Sequence, residues 1–227
     1  PNDTDLLYTL GLLSLEAQRF DAAEDYLTKL LNSGQRKGEA QYYLGRINES
    51  RKQLQKAVDW YQTVKTGEYR FDAQIRTATL IAKLGQTEKA LALLKEMVDK
   101  DHSKSSLVRI FLAEGEILKQ AKRYHDAVKT YNHALGIIPG NIDLLYARGL
   151  TAESAGDIKR LETDMLTILK TQPDNVHALN ALGFTLADET DRYEEAYKYI
   201  KKAIEINPND PAIMDSYGWV NYRMGNY

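Results

Sequence analysis

The sequence predicts an all-α chain, a solenoid of stacked antiparallel helix pairs with about six and a half repeats. Three observations carry this. Apolar residues recur at spacings of three and four nearly everywhere, the period of an amphipathic helix, as in LLYTLGLLSLEAQ and ALALLKEMV, and strand-like alternation is absent. A small residue returns at Gly11, Gly45, Ala78, Gly115, Gly149, Gly183 and Gly218, at intervals of 34, 33, 37, 34, 34 and 35 residues. Short polar breaks, such as Gln18-Arg19, Gly85-Gln86-Thr87 and Ala155-Gly156-Asp157, cut the periodic stretches into runs of about a dozen residues.

The units run over about 4–37, 38–70, 71–107, 108–141, 142–175 and 176–210, with a partial unit at 211–227. In the first four, an alanine follows the small residue by twelve: Ala23, Ala57, Ala90 and Ala127. Small residues at both columns let two helices approach closely. The third unit is irregular, with Thr77 where leucine is usual. The fourth is the most regular: Phe111, Gly115, Leu118, Tyr124, Ala127, Tyr131, Ala134 and Pro139. The fifth places Leu161 in the alanine column and Arg148 in the leucine column. The sixth carries one extra residue around Thr190-Asp191-Arg192, so Ala196 follows Gly183 by thirteen. Pro139, Pro173 and Pro208 close the last three full units by stopping the second helix. Gly85, Gly156 and Gly225 suit the left-handed cap that ends a first helix. One pair cannot bury its apolar face alone, so neighbours stabilise one another.

This pattern resembles the tetratricopeptide repeat family over the whole chain. The resemblance implies a right-handed superhelix with a concave face lined by the first helices. Groove-facing side chains then fall three before the small residue (Tyr8, Tyr42, Ile75, Leu112, Tyr146, Asn180, Asp215) and one after it (Leu12, Arg46, Thr79, Glu116, Leu150, Phe184, Trp219). Charged residues such as Glu16, Glu49, Lys83, Lys119 and Arg223 lie farther along. Aromatic faces with polar tips suit an extended peptide or a partner helix, although any of these aromatics could instead pack against the next first helix. Co-chaperone members of the family grip a terminal carboxylate with lysine and asparagine at these columns. Here Arg46 and Asn180 stand alone, and a carboxylate needs converging donors, so that mode is not expected.

Composition narrows the function. Thirty basic and 32 acidic residues are well mixed, with a net charge of −2. Nucleic acid and anionic membrane surfaces call for clustered Lys and Arg, and neither partner is expected. With no cysteine, disulfides, thiol catalysis and cysteine-ligated metals are excluded. His125 and His133 are eight apart, not the four of a zinc helix, and with His102 and His177 they read as surface or turn residues. Carboxylate pairs such as Glu194-Glu195 sit at helix starts, where the dipole favours them. No enzyme and no cofactor is expected.

Two segments, Ala178–Ala196 (ALNALGFTLADETDRYEEA) and Asp210–Tyr227 (DPAIMDSYGWVNYRMGNY), resemble the large tetratricopeptide outer-membrane lipoproteins of proteobacteria. One such lipoprotein is an adaptor that brings a carboxy-terminal processing protease to peptidoglycan cross-link hydrolases. The resemblance implies a periplasmic scaffold tethered by a lipid anchor outside this segment. The alternatives are a regulatory array of a larger enzyme and a cytosolic peptide-binding co-chaperone. Pro1 stands in a closing-proline slot and Gly225-Asn226-Tyr227 in the turn before a second helix, so the segment reads as the interior of a longer array. Its last helix, about Pro211 to Met224, is expected to leave Met214, Tyr217 and Val220 without a partner helix.

Overall fold

A computed structural model describes residues 3–100 and 103–226; Pro1, His102 and Tyr227, each given a place above, lie outside the described residues. The described residues form thirteen α-helices and no strand. The chain divides into two units, Pro1–Asp101 and His102–Tyr227. The first holds α1 (Thr4–Glu16), α2 (Phe20–Asn32), α3 (Lys37–Ser50), α4 (Leu54–Thr63), α5 (Arg70–Lys83) and α6 (Thr87–Lys100). The second holds α7 (Lys104–Gln120), α8 (Tyr124–Ile137), α9 (Ile142–Ser154), α10 (Ile158–Thr171), α11 (Val176–Glu189), α12 (Tyr193–Ile206) and α13 (Pro211–Arg223). Within each unit every helix packs on the next, and first helices also touch: α1 on α3, α7 on α9, α11 on α13. This is the nearest-neighbour stacking of a helical solenoid.

The glycine column is a notch with a dedicated filler. A β-carbon on Gly45 would stand 2.6 Å from the Tyr61 ring, one on Gly115 2.1 Å from Tyr131, and one on Gly149 2.6 Å from Met165. Each filler lies sixteen residues on, in the second helix of the same pair. The inserted residue of the sixth repeat moves the filler of Gly183 to Ile200, seventeen on. The alanine column, Leu161 included, is fully buried. These interlocked side chains form the core of each pair, and Tyr61 and Tyr131 are among its largest members.

First helices end alike. The N–H two residues past the last turn reaches back to a carbonyl five residues earlier: Arg19 to Ser14 (2.8 Å), Gln53 to Asn48 (2.9 Å), Arg123 to Leu118 (2.8 Å) and Asp157 to Ala152 (2.8 Å). This bond needs a left-handed residue just before it. Gly85, Gly156 and Gly225 supply it, as expected, but Gln18, Lys52 and Lys122 adopt the same conformation, at φ 57°, 59° and 57°. After α11 the extra residue replaces that turn. Thr190 is extended, donates its hydroxyl to the Leu186 carbonyl and accepts from the Arg192 N–H.

The second kind of turn is set by proline. Ile138, Gln172 and Asn207, which precede Pro139, Pro173 and Pro208, leave the helix for φ near −130°, because the proline ring excludes the helical conformation from the residue before it. Two residues past each proline an Asn141, Asn175 or Asp210 side chain caps the next helix, accepting from Leu144, Ala178 and Ala212 N–H groups at 2.9–3.0 Å. Asp3 caps α1 in the same way, which accounts for the recurrence of aspartate at 3 and 210.

Candidate functional site

The row of first helices carries the residues expected to face a partner. In the first unit these are Tyr8, Leu12, Tyr42 and Arg46. Leu12 and Tyr8 are half-buried, but Tyr42 is only 4% exposed and belongs to the core. Its ring stacks on Tyr69 at 4.5 Å between centroids and meets Tyr43 edge-on at 5.1 Å. The alternative weighed from the sequence, packing against the neighbouring first helix, holds for this residue.

The Tyr42 hydroxyl donates to Asp72 at 2.5 Å, and Arg76 donates to the same carboxylate at 2.7 Å and to Glu49 at 3.1 Å. Glu49 also accepts from Tyr61 at 2.6 Å. Burial, together with the bond to Glu49, raises the Tyr61 pKa far above the ordinary phenolic value of 10.0. Tyr42 shifts the same way through burial and Asp72, opposed by Arg46 and Arg76. Both phenols therefore remain protonated donors. Tyr69 joins the cluster through its hydroxyl, 3.2 Å from that of Tyr8 and 3.1 Å from that of Tyr43, while the Arg36 guanidinium lies 4.7 Å over the Tyr8 ring. Arg46 forms no ion pair among the described residues. Sequence reasoning missed Tyr43, Tyr69, Asp72 and Arg76. A signal was present, because Tyr42 and Arg76 stand 34 residues apart, one repeat.

In the second unit Leu112, Tyr146, Leu150, Asn180 and Trp219 are half-buried, and Glu116 and Phe184 are exposed. Glu116 pairs with Lys119 at 3.0 Å. Tyr146 meets His177 edge-on, and burial raises its pKa. Trp219 stacks on Tyr222 at 5.6 Å, with the Arg223 guanidinium 5.6 Å over its ring. Asn180 Oδ1 and Trp219 Nε1 have no hydrogen-bond partner among the described residues. On α13, Met214 is 54% exposed, as expected, and Tyr217 is half-buried with its hydroxyl 3.2 Å from that of Tyr197. Val220, by contrast, is fully buried, because α13 seats one flank on α11 and α12. A β-carbon on Gly218 would meet no atom of another element within 4 Å among the described residues.

The column before the glycine holds a second surprise. Arg148 lies in a leucine column, yet it donates twice to the fully buried Asp164, at 2.9 and 2.6 Å, and once to Asn132 at 2.7 Å. One repeat earlier, Glu114 accepts from Thr130 at 3.0 Å. Both pairs are sixteen apart, the separation of notch and filler.

His125, His133 and His177 are exposed, and no group of three or more His, Asp or Glu side chains among the described residues is placed to hold a metal ion. The Tyr42, Tyr61, Arg76 and Arg148 polar groups are bonded within the chain, and the surface left along the first helices of the second unit is largely aliphatic and aromatic.

Tandem helix pairs with an aromatic first-helix row define a repeat protein of the interaction-scaffold class. The chain belongs to the tetratricopeptide repeat family, whose models match residues 8–74, 108–141 and 176–210, together more than half of it. It is 38% identical over 188 residues to the TPR repeat-containing protein PA4667 of Pseudomonas aeruginosa, covering 82% of this chain and 31% of that protein. The chain thus spans about a third of that curated relative. Among solved structures it resembles a tetratricopeptide repeat protein from Parabacteroides merdae (TM-score 0.65, 17% identity, 97% of this chain and 85% of that one). It also resembles PilW, a type IV pilus biogenesis factor (TM-score 0.67, 14% identity, 93% and 97%). At those identities the structures speak to the fold alone. Repeats of this family generally mediate protein–protein interaction.

Proposed function

We propose that the chain is a non-catalytic scaffold that holds a protein partner along its first-helix row. The observation that carries this is a stripe in the second unit. Leu150, Phe184 and Trp219 occupy the same register, one past the glycine, and each leaves apolar surface uncovered. One apolar contact per repeat, flanked by Tyr146 and Asn180, suits a helix or extended peptide laid across successive repeats.

The finer reading is an adaptor in the bacterial envelope. It recruits a carboxy-terminal processing protease and presents cell-wall hydrolases to it, from the periplasm, with any outer-membrane anchor outside this segment. Support comes from the resemblance of Ala178–Ala196 and Asp210–Tyr227 to the lipoprotein adaptors and from the identity to a longer Pseudomonas protein. The test is titration of the purified protease into the chain and into a Leu150→Glu/Phe184→Glu variant of unchanged helicity. A loss of about tenfold or more in affinity is expected. Equal affinity for both would remove the first-helix row from the reading, and no binding to either would remove the protease.

A further inference from the structure

On the second-helix side of the second unit, α10 and α12 flank a trough floored by α11, with a cavity volume of about 430 Å³. Its apolar surface comes from Leu166, Leu169, Leu179 and Tyr199. Leu166 is 42% exposed, although an ordinary surface helix would place a polar residue there. Leu169 and Tyr199 are half-buried and pack on the core formed by Leu179, Ala203 and Ile213. The rim is basic: Lys170 lies on α10 and Lys198 and Lys202 on α12, and no carboxylate lines the trough among the described residues, although Glu162 and Glu195 lie near Tyr199. Lys202 is engaged, donating to the Pro173 carbonyl at 2.7 Å and pairing with Asp174 at 2.9 Å. Lys170 and Lys198 form no ion pair among the described residues. In a chain of net charge −2 with well-mixed signs, an apolar trough bordered by two lysines that no carboxylate pairs among the described residues is a local departure.

We infer that this trough is a second docking surface, and that its occupant is an acidic amphipathic helix of a partner protein. Two flanking helices over a third present a groove of the kind that receives the aliphatic stripe of a helix at i, i+3 and i+7. The lysines fix the sign of what borders that stripe, since like charges on the rim would be rejected. A second copy of this chain, whose acidic and basic residues are well mixed along its length, is the poorer match. The inference does not depend on the first-helix row, and with both surfaces in use one chain would hold two partners at once.

The probe is a fluorescein-labelled helical peptide with leucine along one stripe and glutamate on both flanks, titrated by anisotropy into the full chain. Saturable binding is expected. It should weaken about tenfold in Lys170→Glu/Lys198→Glu, whose altered lysines form no ion pair among the described residues. Leu166→Ser should weaken it too, while Leu150→Glu/Phe184→Glu leaves it intact. A companion peptide with lysine in place of glutamate should not bind. Equal binding of both peptides, or affinity unmoved by the lysine reversals, would overturn the inference. So would failure of the acidic peptide to bind while vesicles of anionic lipid do, which would assign the trough to a membrane surface.

Discussion

Replacing Arg148 by leucine, the residue usual at its column, should destabilise the second unit rather than improve it. Asp164 is fully buried and the Arg148 side chain is 13% exposed. The variant leaves a desolvated carboxylate facing apolar atoms, having lost two charged hydrogen bonds. Breaking a buried pair from one side costs about 3–5 kcal/mol, against about 0–1 for an exposed pair. The half-exposed Arg192, which bridges Glu162 and Glu195, supplies the control, and Arg192→Leu should cost less than Arg148→Leu. Arg148→Leu/Asp164→Leu, which imitates the apolar pairs Leu44/Trp60 and Leu182/Tyr199 at the same columns, should recover most of the loss, since apolar replacements of similar volume are often neutral. The assay is urea unfolding read from Trp219 in a Trp60→Phe background, so that the signal reports the second unit. A double-mutant cycle gives the coupling. If Arg148→Leu costs no more than Arg192→Leu, or the double variant is weaker than the single, the buried-pair account is wrong.

The notch predicts opposite outcomes for one chemical change. Gly115→Ala would drive a methyl into the buried Tyr131 ring and should lower stability by about 1–3 kcal/mol. Gly218→Ala meets nothing within 4 Å and should raise it by up to about 1 kcal/mol through helix propensity; thermal melts decide both. Glu114 supplies a pH test. Burial raises its pKa above the usual 4.5, with the Thr130 hydroxyl and His133 opposing. In the window just above 4.5 the folded chain holds a proton that the unfolded chain has released. Stability therefore falls as pH rises through it. Glu114→Gln, which keeps an acceptor for Thr130, should match the wild type at pH 4 and exceed it at pH 7 in urea midpoints.

Period and turn chemistry made the helices legible, because each depends on neighbours close in sequence. The glycine and proline columns placed the pairs for the same reason. What stayed hidden depended on atoms distant in the chain. Nothing local to Tyr42 announces that Asp72 and Arg76 will hold its hydroxyl in the core rather than leave it to a partner. Arg148 reads as a flaw in its own repeat and becomes intelligible only with Asp164, sixteen residues on, in view. Gln18, Lys52 and Lys122 take a conformation usually associated with glycine, since the turn geometry is enforced by the packed helices on either side. Of the expected contact row, Phe184 is exposed and Leu150 and Trp219 are half-buried.

Recess and plug ride on a single stretch of chain shorter than one period, so duplication or exchange of a whole repeat carries both together. A copied module would arrive internally matched, whether its plug is tyrosine, methionine or isoleucine, and would have to be adjusted only along the seams it shares with its new neighbours. An array assembled this way can lengthen, shorten or diversify its recognition face while the interior of each hairpin is left untouched.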